Sequence, residues 1–265
     1  MNGRQQAVFA RAAEERRAVL IGYFPAGFPS VEGSVRVMAA MVRGGVDLLE
    51  VGLPYSDPLM DGPVIQAAAE RALREGATTD DVVRVVSRLT ELDAVPLVMS
   101  YWNPIERFGL ERFATQLADA GGVGVITPDL TPEEAGDWIA VTDACEIGRT
   151  FLVAPSSTDA RIERVSRATS GFLYAASTMG VTGVRTQVSD AAPTLVERAR
   201  AITDLPIGVG LGVSTEQQAA SVAAYADGVI VGSAFVRAVQ EAGDITAAEY
   251  AVEALSAELA RGVRT

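Results

Sequence analysis

Short β-rich runs alternate with helical patterns along the whole 265-residue chain, and this alternation constrains the fold more than any other feature. Strands that are each followed by a helix are typical of a parallel sheet. Eight such runs are present, at 19–24, 47–51, 96–101, 123–126, 146–153, 172–176, 206–209 and 227–231. Eight strand–helix units in about 250 residues predict a single-domain α/β fold, a (β/α)₈ TIM barrel, with a doubly wound open sheet as the competing topology.

The helical segments add detail to this prediction. A helix at 4–17 precedes the first strand, and helices at 64–73 and 79–92 both follow the second, so the barrel carries extra helices at these two places. A single helix is expected at 104–120. Capping boxes at Thr131–Glu134 and Ser214–Gln217 predict two helix starts. Since no linker-like stretch divides the chain, one domain over residues 1–265 is expected.

The charged residues exclude several functions. Acidic residues number 34 against 22 basic ones, giving a net charge of −12, which argues against nucleic-acid binding. The sequence has no histidine and no lysine, so every basic side chain is arginine. Without lysine there is no Schiff-base nucleophile, and without histidine zinc sites and serine triads lose their commonest ligand and base. The remaining catalytic repertoire is mostly Asp, Glu and Tyr, and no metal site is predicted.

Neither a disulfide nor a targeting segment is predicted. Cys145 is the single cysteine and is interpreted as a small buried side chain. The polar N-terminus has no apolar signal core, and no apolar run approaches the roughly 20 residues of a membrane span. A soluble cytoplasmic protein is the resulting expectation.

Two carboxylates lie close together in the sequence at the end of the second strand. Glu50 interrupts an apolar strand, where an ionised group is costly unless it has a partner. Asp61 follows on a loop rich in Pro, Asp and Gly. Carboxylates in different environments can divide acid and base work. The alternative is a structural Glu followed by turn-forming Asp residues.

Three glycine motifs follow the last three strands and indicate a phosphate site. They are Gly180–Gly183, Gly210–Gly212 and Gly232-Ser233, the last of which opens a helix. Glycines let backbone N–H groups approach a phosphate, and the loops after strands seven and eight are the recurrent phosphate cradle of such barrels. Any one motif alone is equally consistent with a turn.

The segment EVGLPYSDPLMDGPVIQ, from Glu50 to Gln66, resembles the signature of the tryptophan synthase alpha chain family. The similarity continues through the glycine motifs and covers nearly the whole chain. It implies a lyase of L-tryptophan biosynthesis that cleaves indole-3-glycerol phosphate to indole and glyceraldehyde 3-phosphate. It further implies a beta chain partner in an alpha2beta2 heterotetramer, with pyridoxal phosphate on the partner and no cofactor on this chain.

The resemblance also assigns residues. Glu50 and Asp61 match the catalytic carboxylates of the family. The expected substrate contacts are Tyr23, Tyr101, Tyr174, Thr182, Gly183, Gly212, Gly232 and Ser233. Tyr101 and Asn103, after strand three, are also expected to line the mouth of the barrel, whereas Tyr174 has the alternative interpretation of a core aromatic residue.

Three positions depart from the family pattern. Phe28 and Thr131 stand where many members carry Asp and Pro, and Thr178 stands where some carry Arg. These departures concern loop closure and partner contacts rather than the two carboxylates.

A retro-aldol cleavage needs an electron sink, and the absence of lysine and histidine leaves an indole protonated at C3 to supply it. Glu50 is therefore expected to shuttle protons, while Asp61 stabilises the positive charge at the indole N–H. Two alternatives remain: a stand-alone lyase that releases indole, and a non-catalytic barrel that binds a sugar phosphate or regulates a partner.

Overall fold

The computed structural model describes residues 3–176 and 191–264, in which parallel strands form one sheet. The strands are β1 Val19–Pro25, β2 Leu48–Gly52, β3 Pro96–Met99, β4 Gly124–Ile126, β5 Gly148–Thr150, β6 Leu152–Val153, β7 Leu173–Ala176, β8 Ile207–Gly210 and β9 Gly228–Val231. Every predicted strand is present, with its bounds shifted by one or two residues in most cases.

The sheet is joined into a barrel by one short stretch of chain. Its strand order is β5-β4-β3-β2-β1-β9-β8-β7-β6, so its two edges are β5 and β6. These segments are separated by Phe151 alone, and β5 pairs with β4 while β6 pairs with β7. The Tyr174 N–H donates to the Phe151 carbonyl at 3.2 Å, which carries the pairing across the break. The (β/α)₈ barrel is confirmed, and the predicted fifth strand is β5 and β6 taken together.

Helices surround the barrel. In the described residues they are α1 Gly3–Glu14, α2 Val31–Arg43, α3 Pro63–Arg74, α4 Thr79–Thr90, α5 Trp102–Phe108, α6 Leu110–Asp119, α7 Gly136–Ala144, α8 Asp159–Ala168, α9 Ala191–Arg200, α10 Glu216–Ala223, α11 Ser233–Glu241 and α12 Ile245–Gly262. The extra helices are confirmed: α1 precedes β1, and both α3 and α4 follow β2. None of these helices is long and apolar enough to cross a membrane.

Two helix predictions are corrected. The single helix expected at 104–120 is split at Gly109, whose φ of 98° is a left-handed value that ends α5 before α6 begins. The helix start expected at Thr131 is wrong, since α7 begins at Gly136. The Thr131 hydroxyl donates to the Glu134 carboxylate at 2.9 Å, so neither side chain caps a backbone N–H there.

The second predicted capping box is displaced by one residue. Thr215, rather than Ser214, is the N-cap of α10, and its side chain accepts the Gln218 N–H. Gln218 still reaches back, because its side-chain oxygen accepts the Ser214 N–H at 2.8 Å.

Apolar side chains fill the amino-terminal end of the barrel interior, so a site can lie only toward the carboxyl-terminal ends of the strands. An apolar layer inside the barrel includes Ile21, Leu48, Phe172 and Ile230, all 5% exposed or less. Phe9 of α1 closes this end, with its ring 5.7 Å from that of Phe172. Side chains alternate along a strand, so the residues two positions further on point inward one layer higher. Those residues are Tyr23, Glu50, Tyr174 and Gly232.

Candidate active site

Glu50 lies inside the barrel at the centre of β2, with 1% of its surface exposed. Both of its carboxylate oxygens are buried, and neither has a hydrogen-bond partner among the described residues. Burial raises the pKa of this carboxyl to about 8. Glu50 is therefore protonated at neutral pH, the state that a general acid requires.

Asp61 lies on the loop that links β2 to α3. Burial raises the pKa of its carboxyl to about 6, and a hydrogen bond from the Tyr101 hydroxyl opposes that shift. The side chain of Gln66 in α3 donates to the Asp61 carbonyl at 2.8 Å, which fixes the end of the loop. Near pH 7 Asp61 is thus mostly ionised while Glu50 is mostly protonated, so the two carboxyls are in different states.

Two tyrosines bring the carboxylates into one site. Burial raises the pKa of Tyr23 well above its usual value, and the negative charges of Asp61 and Glu50 raise it further. The pKa of Tyr174 is raised in the same way, first by burial and then by Glu50 and Asp61. Tyr23, Glu50 and Tyr174 share one inward layer of the strands, and the charge of Asp61 acts on both hydroxyls, so the four side chains lie at one mouth of the barrel.

Glycines on the neighbouring strands make room for these two rings. A Cβ atom at Gly52 would lie 2.6 Å from the Tyr23 ring carbon Cζ, and one at Gly210 would lie 2.5 Å from the Tyr174 hydroxyl. Each ring therefore lies over the next strand, in space that a larger residue would occupy. The sequence does not mark Gly52 as a site residue, because a glycine at a strand end is also typical of a turn.

The described residues of the predicted phosphate site lie beside Tyr23. Gly232 is the N-cap of α11, Ser233 is its first residue and is 7% exposed, and Gly212 has a left-handed φ of 70°. A Cβ atom at Gly232 would lie 3.1 Å from the Tyr23 ring, so the helix start and the carboxylates share one opening. Thr182, Gly183 and Thr178 lie outside the described residues.

Tyr101 and Asn103 lie at this mouth, as expected, and Tyr55, which is not among the predicted site residues, connects them. The Tyr55 ring packs on Tyr101 with 5.4 Å between centroids. The Asn103 side chain donates to the Tyr55 hydroxyl at 3.0 Å. Tyr55 lies within the family-like segment, but its role depends on the path of the loop, which no local pattern predicts.

The structure describes the contacts of two of the residues that depart from the family pattern. Phe28 is 3% exposed, packs 6.0 Å from the Phe24 ring and carries the Arg71 guanidinium over its face. Thr131 forms the hydrogen bond to Glu134 described above. Neither residue contacts Glu50 or Asp61 in these interactions.

Cavity size does not locate this site. A groove of about 1210 Å³ lies at the opposite, amino-terminal end of the barrel, between α1, α9 and α10. In barrels of this kind, residues at the amino-terminal ends of the strands contribute to stability, whereas catalytic groups lie at the carboxyl-terminal ends. Within the described ranges, no group of three or more Cys, Asp or Glu side chains is placed to hold a metal ion.

The chain is similar to known proteins along nearly its whole length. The family model described as tryptophan synthase alpha chain matches residues 9–264. The alpha chain of Thermobifida fusca is 58% identical over 258 residues, covering 96% of both chains, and that of Mycobacteroides abscessus is 55% identical, covering 99% of this chain and 98% of its own. A solved structure of tryptophan synthase from Mycobacterium tuberculosis superposes with a TM-score of 0.94 at 50% identity over the full length of both chains.

A family match over almost the whole chain and relatives above 50% identity leave one assignment. The chain belongs to the tryptophan synthase alpha chain family, the lyases that cleave indole-3-glycerol phosphate in tryptophan biosynthesis.

Proposed function

We propose that Glu50 and Asp61 divide the work of this cleavage between them. The observation that carries the proposal is their difference in ionisation, with pKa values of about 8 and about 6 inside one mouth of the barrel. A protonated Glu50 gives its proton to C3 of the indole ring. The ionised Asp61 stabilises the positive charge that this transfer places on the indole nitrogen.

The C–C bond then breaks with its electrons returning to the ring. As C3 releases the glycerol side chain, the adjacent hydroxyl gives its proton to the Glu50 carboxylate and becomes the aldehyde of glyceraldehyde 3-phosphate. Glu50 ends the cycle protonated, so the step balances without an external acid or base. Each general acid–base step of this kind contributes about 10²–10⁴-fold to the rate.

The substrate phosphate is proposed to bind at the start of α11. Gly232 and Ser233 supply backbone N–H groups and the positive end of the helix dipole, Gly212 approaches from the preceding loop, and Thr182 and Gly183 complete the set. Tyr23, Tyr101 and Tyr174 flank the indole ring. In this orientation the reacting carbon lies between the carboxylates and the anion site.

The partner is proposed to be a tryptophan synthase beta chain, in an alpha2beta2 heterotetramer that consumes the indole with pyridoxal phosphate held by the beta chain. The loop Pro54–Gly62 is the proposed contact surface, and Leu59 on that loop is 72% exposed. A cytoplasmic location fits a biosynthetic enzyme of this kind and is part of the proposal.

The test is indole release from indole-3-glycerol phosphate by the wild-type chain and by Glu50→Gln and Asp61→Asn, with and without a beta chain. We expect each variant to lose at least about 100-fold in kcat. The wild type should have a bell-shaped profile of kcat/KM with limbs near pH 6 and 8. Near-normal turnover by either folded variant would reject the role proposed for that residue.

A further inference from the structure

Tyr101 is held rigidly by the barrel. It lies just beyond β3, separated from the strand by Ser100, serves as the N-cap residue of α5 and is 4% exposed. The next residue is also fixed, because the Trp102 N–H donates to the Asp129 carboxylate at 2.9 Å from the loop after β4. The Tyr101 backbone is therefore anchored to two strands that do not carry Asp61.

The ring of Tyr101 is supported from the side. The Tyr55 ring packs against it, and the Tyr55 hydroxyl accepts the hydrogen bond from Asn103 of α5. Tyr55 thus contacts two residues that belong to one element: Tyr101 is the N-cap of α5, and Asn103 lies in α5. The Tyr101 hydroxyl is consequently set at a defined height above the barrel.

The Tyr101 hydroxyl makes two hydrogen bonds to the loop between β2 and α3. It accepts the Met60 N–H at 2.9 Å and donates to the Asp61 carboxylate. Burial raises the pKa of Tyr101, and the charge of Asp61 raises it further, so the hydroxyl keeps its proton throughout the working range. Leu59, next to Met60, is 72% exposed, so packing of its side chain does not hold the loop. The hydrogen bonds to Tyr101 hold the loop backbone instead.

We propose that Tyr101 is a positioning residue that holds the Asp61 carboxylate and the Met60 backbone in place for the reaction, in addition to forming a wall of the indole pocket. The inference rests on the proposed role of Asp61. A hydrogen bond donated to a carboxylate favours its charged form, so Tyr101 also keeps Asp61 ionised at lower pH. A wall residue would contribute shape to the pocket without affecting the ionisation of Asp61.

The test compares Tyr101→Phe with Tyr174→Phe, which removes a buried hydroxyl from the same mouth; Asp61 raises the pKa of Tyr174, whereas the side-chain hydrogen bond that lowers the pKa of Asp61 comes from Tyr101. The Asp61 carboxyl is titrated by ¹³C NMR in each full-length protein, with Asp61→Asn used to assign its signal. In Tyr101→Phe we expect the pKa of Asp61 to rise by about one pH unit and the acid limb of kcat/KM to rise with it. In Tyr174→Phe both should stay in place.

The outcomes separate the two proposals. An unchanged Asp61 titration in Tyr101→Phe would overturn the positioning role. So would an acid limb that stays in place while the titration moves, because the contact would then have no effect on turnover. Normal turnover by Asp61→Asn would instead reject the proposed function of Asp61, whatever the Tyr101 variant does. Thermal melting of each variant establishes that the barrel is intact.

Discussion

Glu50 is a residue that the fold would be more stable without. Its carboxyl is buried with both oxygens lacking partners among the described residues, which is a costly state for an ionised group. A chain under selection for stability alone has no reason to keep it. The catalytic role proposed for Glu50 supplies that reason, because a proton donor at neutral pH requires such surroundings.

We expect Glu50→Gln to stabilise the protein, and to do so more at high pH. The folded protein keeps the Glu50 proton up to about pH 8, whereas the ordinary pKa is 4.5. The native state therefore binds more protons than the unfolded state between these values, and the free energy of unfolding falls as pH rises through them. The full effect is on the order of 5 kcal/mol above pH 8.

Urea unfolding of the wild type and of Glu50→Gln at pH 5 and pH 8.5 measures this difference. The matched control is Glu70→Gln, which changes an exposed residue of α3. A gain of equal size at both pH values would contradict the burial argument.

Single residues also show what the sequence could not predict about the site. Glu50 and Asp61 stand out because a carboxylate in an apolar strand and an Asp-rich loop are local features. The contacts of Tyr101 with Met60 and Asp61 depend on the path of a loop that returns across a neighbouring strand. The place of Gly52 under the Tyr23 ring depends in the same way on the register of β1 and β2.

Helix starts show the same limit at the scale of elements. Thr78 and Thr131 both precede an acidic residue three positions later, the spacing on which the helix start at Thr131 was expected. Thr78 is the N-cap of α4 in a complete capping box with Asp81, whereas Thr131 is bonded to the Glu134 side chain five residues before α7 begins. The side chain of Glu133 is paired there with Arg161 and Arg164, so the turn at 131–134 is tied to α8.

The two threonines should therefore respond differently to the same substitution. Thr78→Ala removes an N-cap that accepts the Asp81 N–H at 3.2 Å, and we expect it to lower the free energy of unfolding by about 1 kcal/mol. Thr131→Ala removes an exposed side-chain bond and should change it by less than about 0.5 kcal/mol. Urea unfolding at one pH measures both values. Equal losses would mean that Thr131 does act as a cap.

At the scale of the whole molecule, the overall fold was the feature most easily predicted from the sequence. Alternating strands and helices gave the barrel, because eight strand–helix units of even spacing have few other arrangements. The break at Phe151 was not predicted, since the pattern of residues 146–153 is continuous. That residues 1–265 form one domain stays a prediction.

The last helix offers a way to test that prediction. Helix α12 packs across α2 and α10, with ion pairs from Glu249 to Arg36, from Glu253 to Arg43 and from Arg261 to Glu216. Leu259 of α12 is fully buried, so Leu259→Ala should cost about 2–5 kcal/mol. The matched control on the same helix is Tyr250→Ala, at a side chain that is 73% exposed.

The two tryptophans report on a different side of the barrel. Trp102 of α5 and Trp138 of α7 pack together at 5.8 Å between ring centroids. If the chain is one domain, Leu259→Ala must shift the transition seen by tryptophan fluorescence as far as the one seen by far-ultraviolet circular dichroism. The reason is that one cooperative unit has one free energy of unfolding. A fluorescence transition that stays in place while the dichroism transition moves would show that α12 and the tryptophan side unfold separately, and the one-domain prediction would then be wrong.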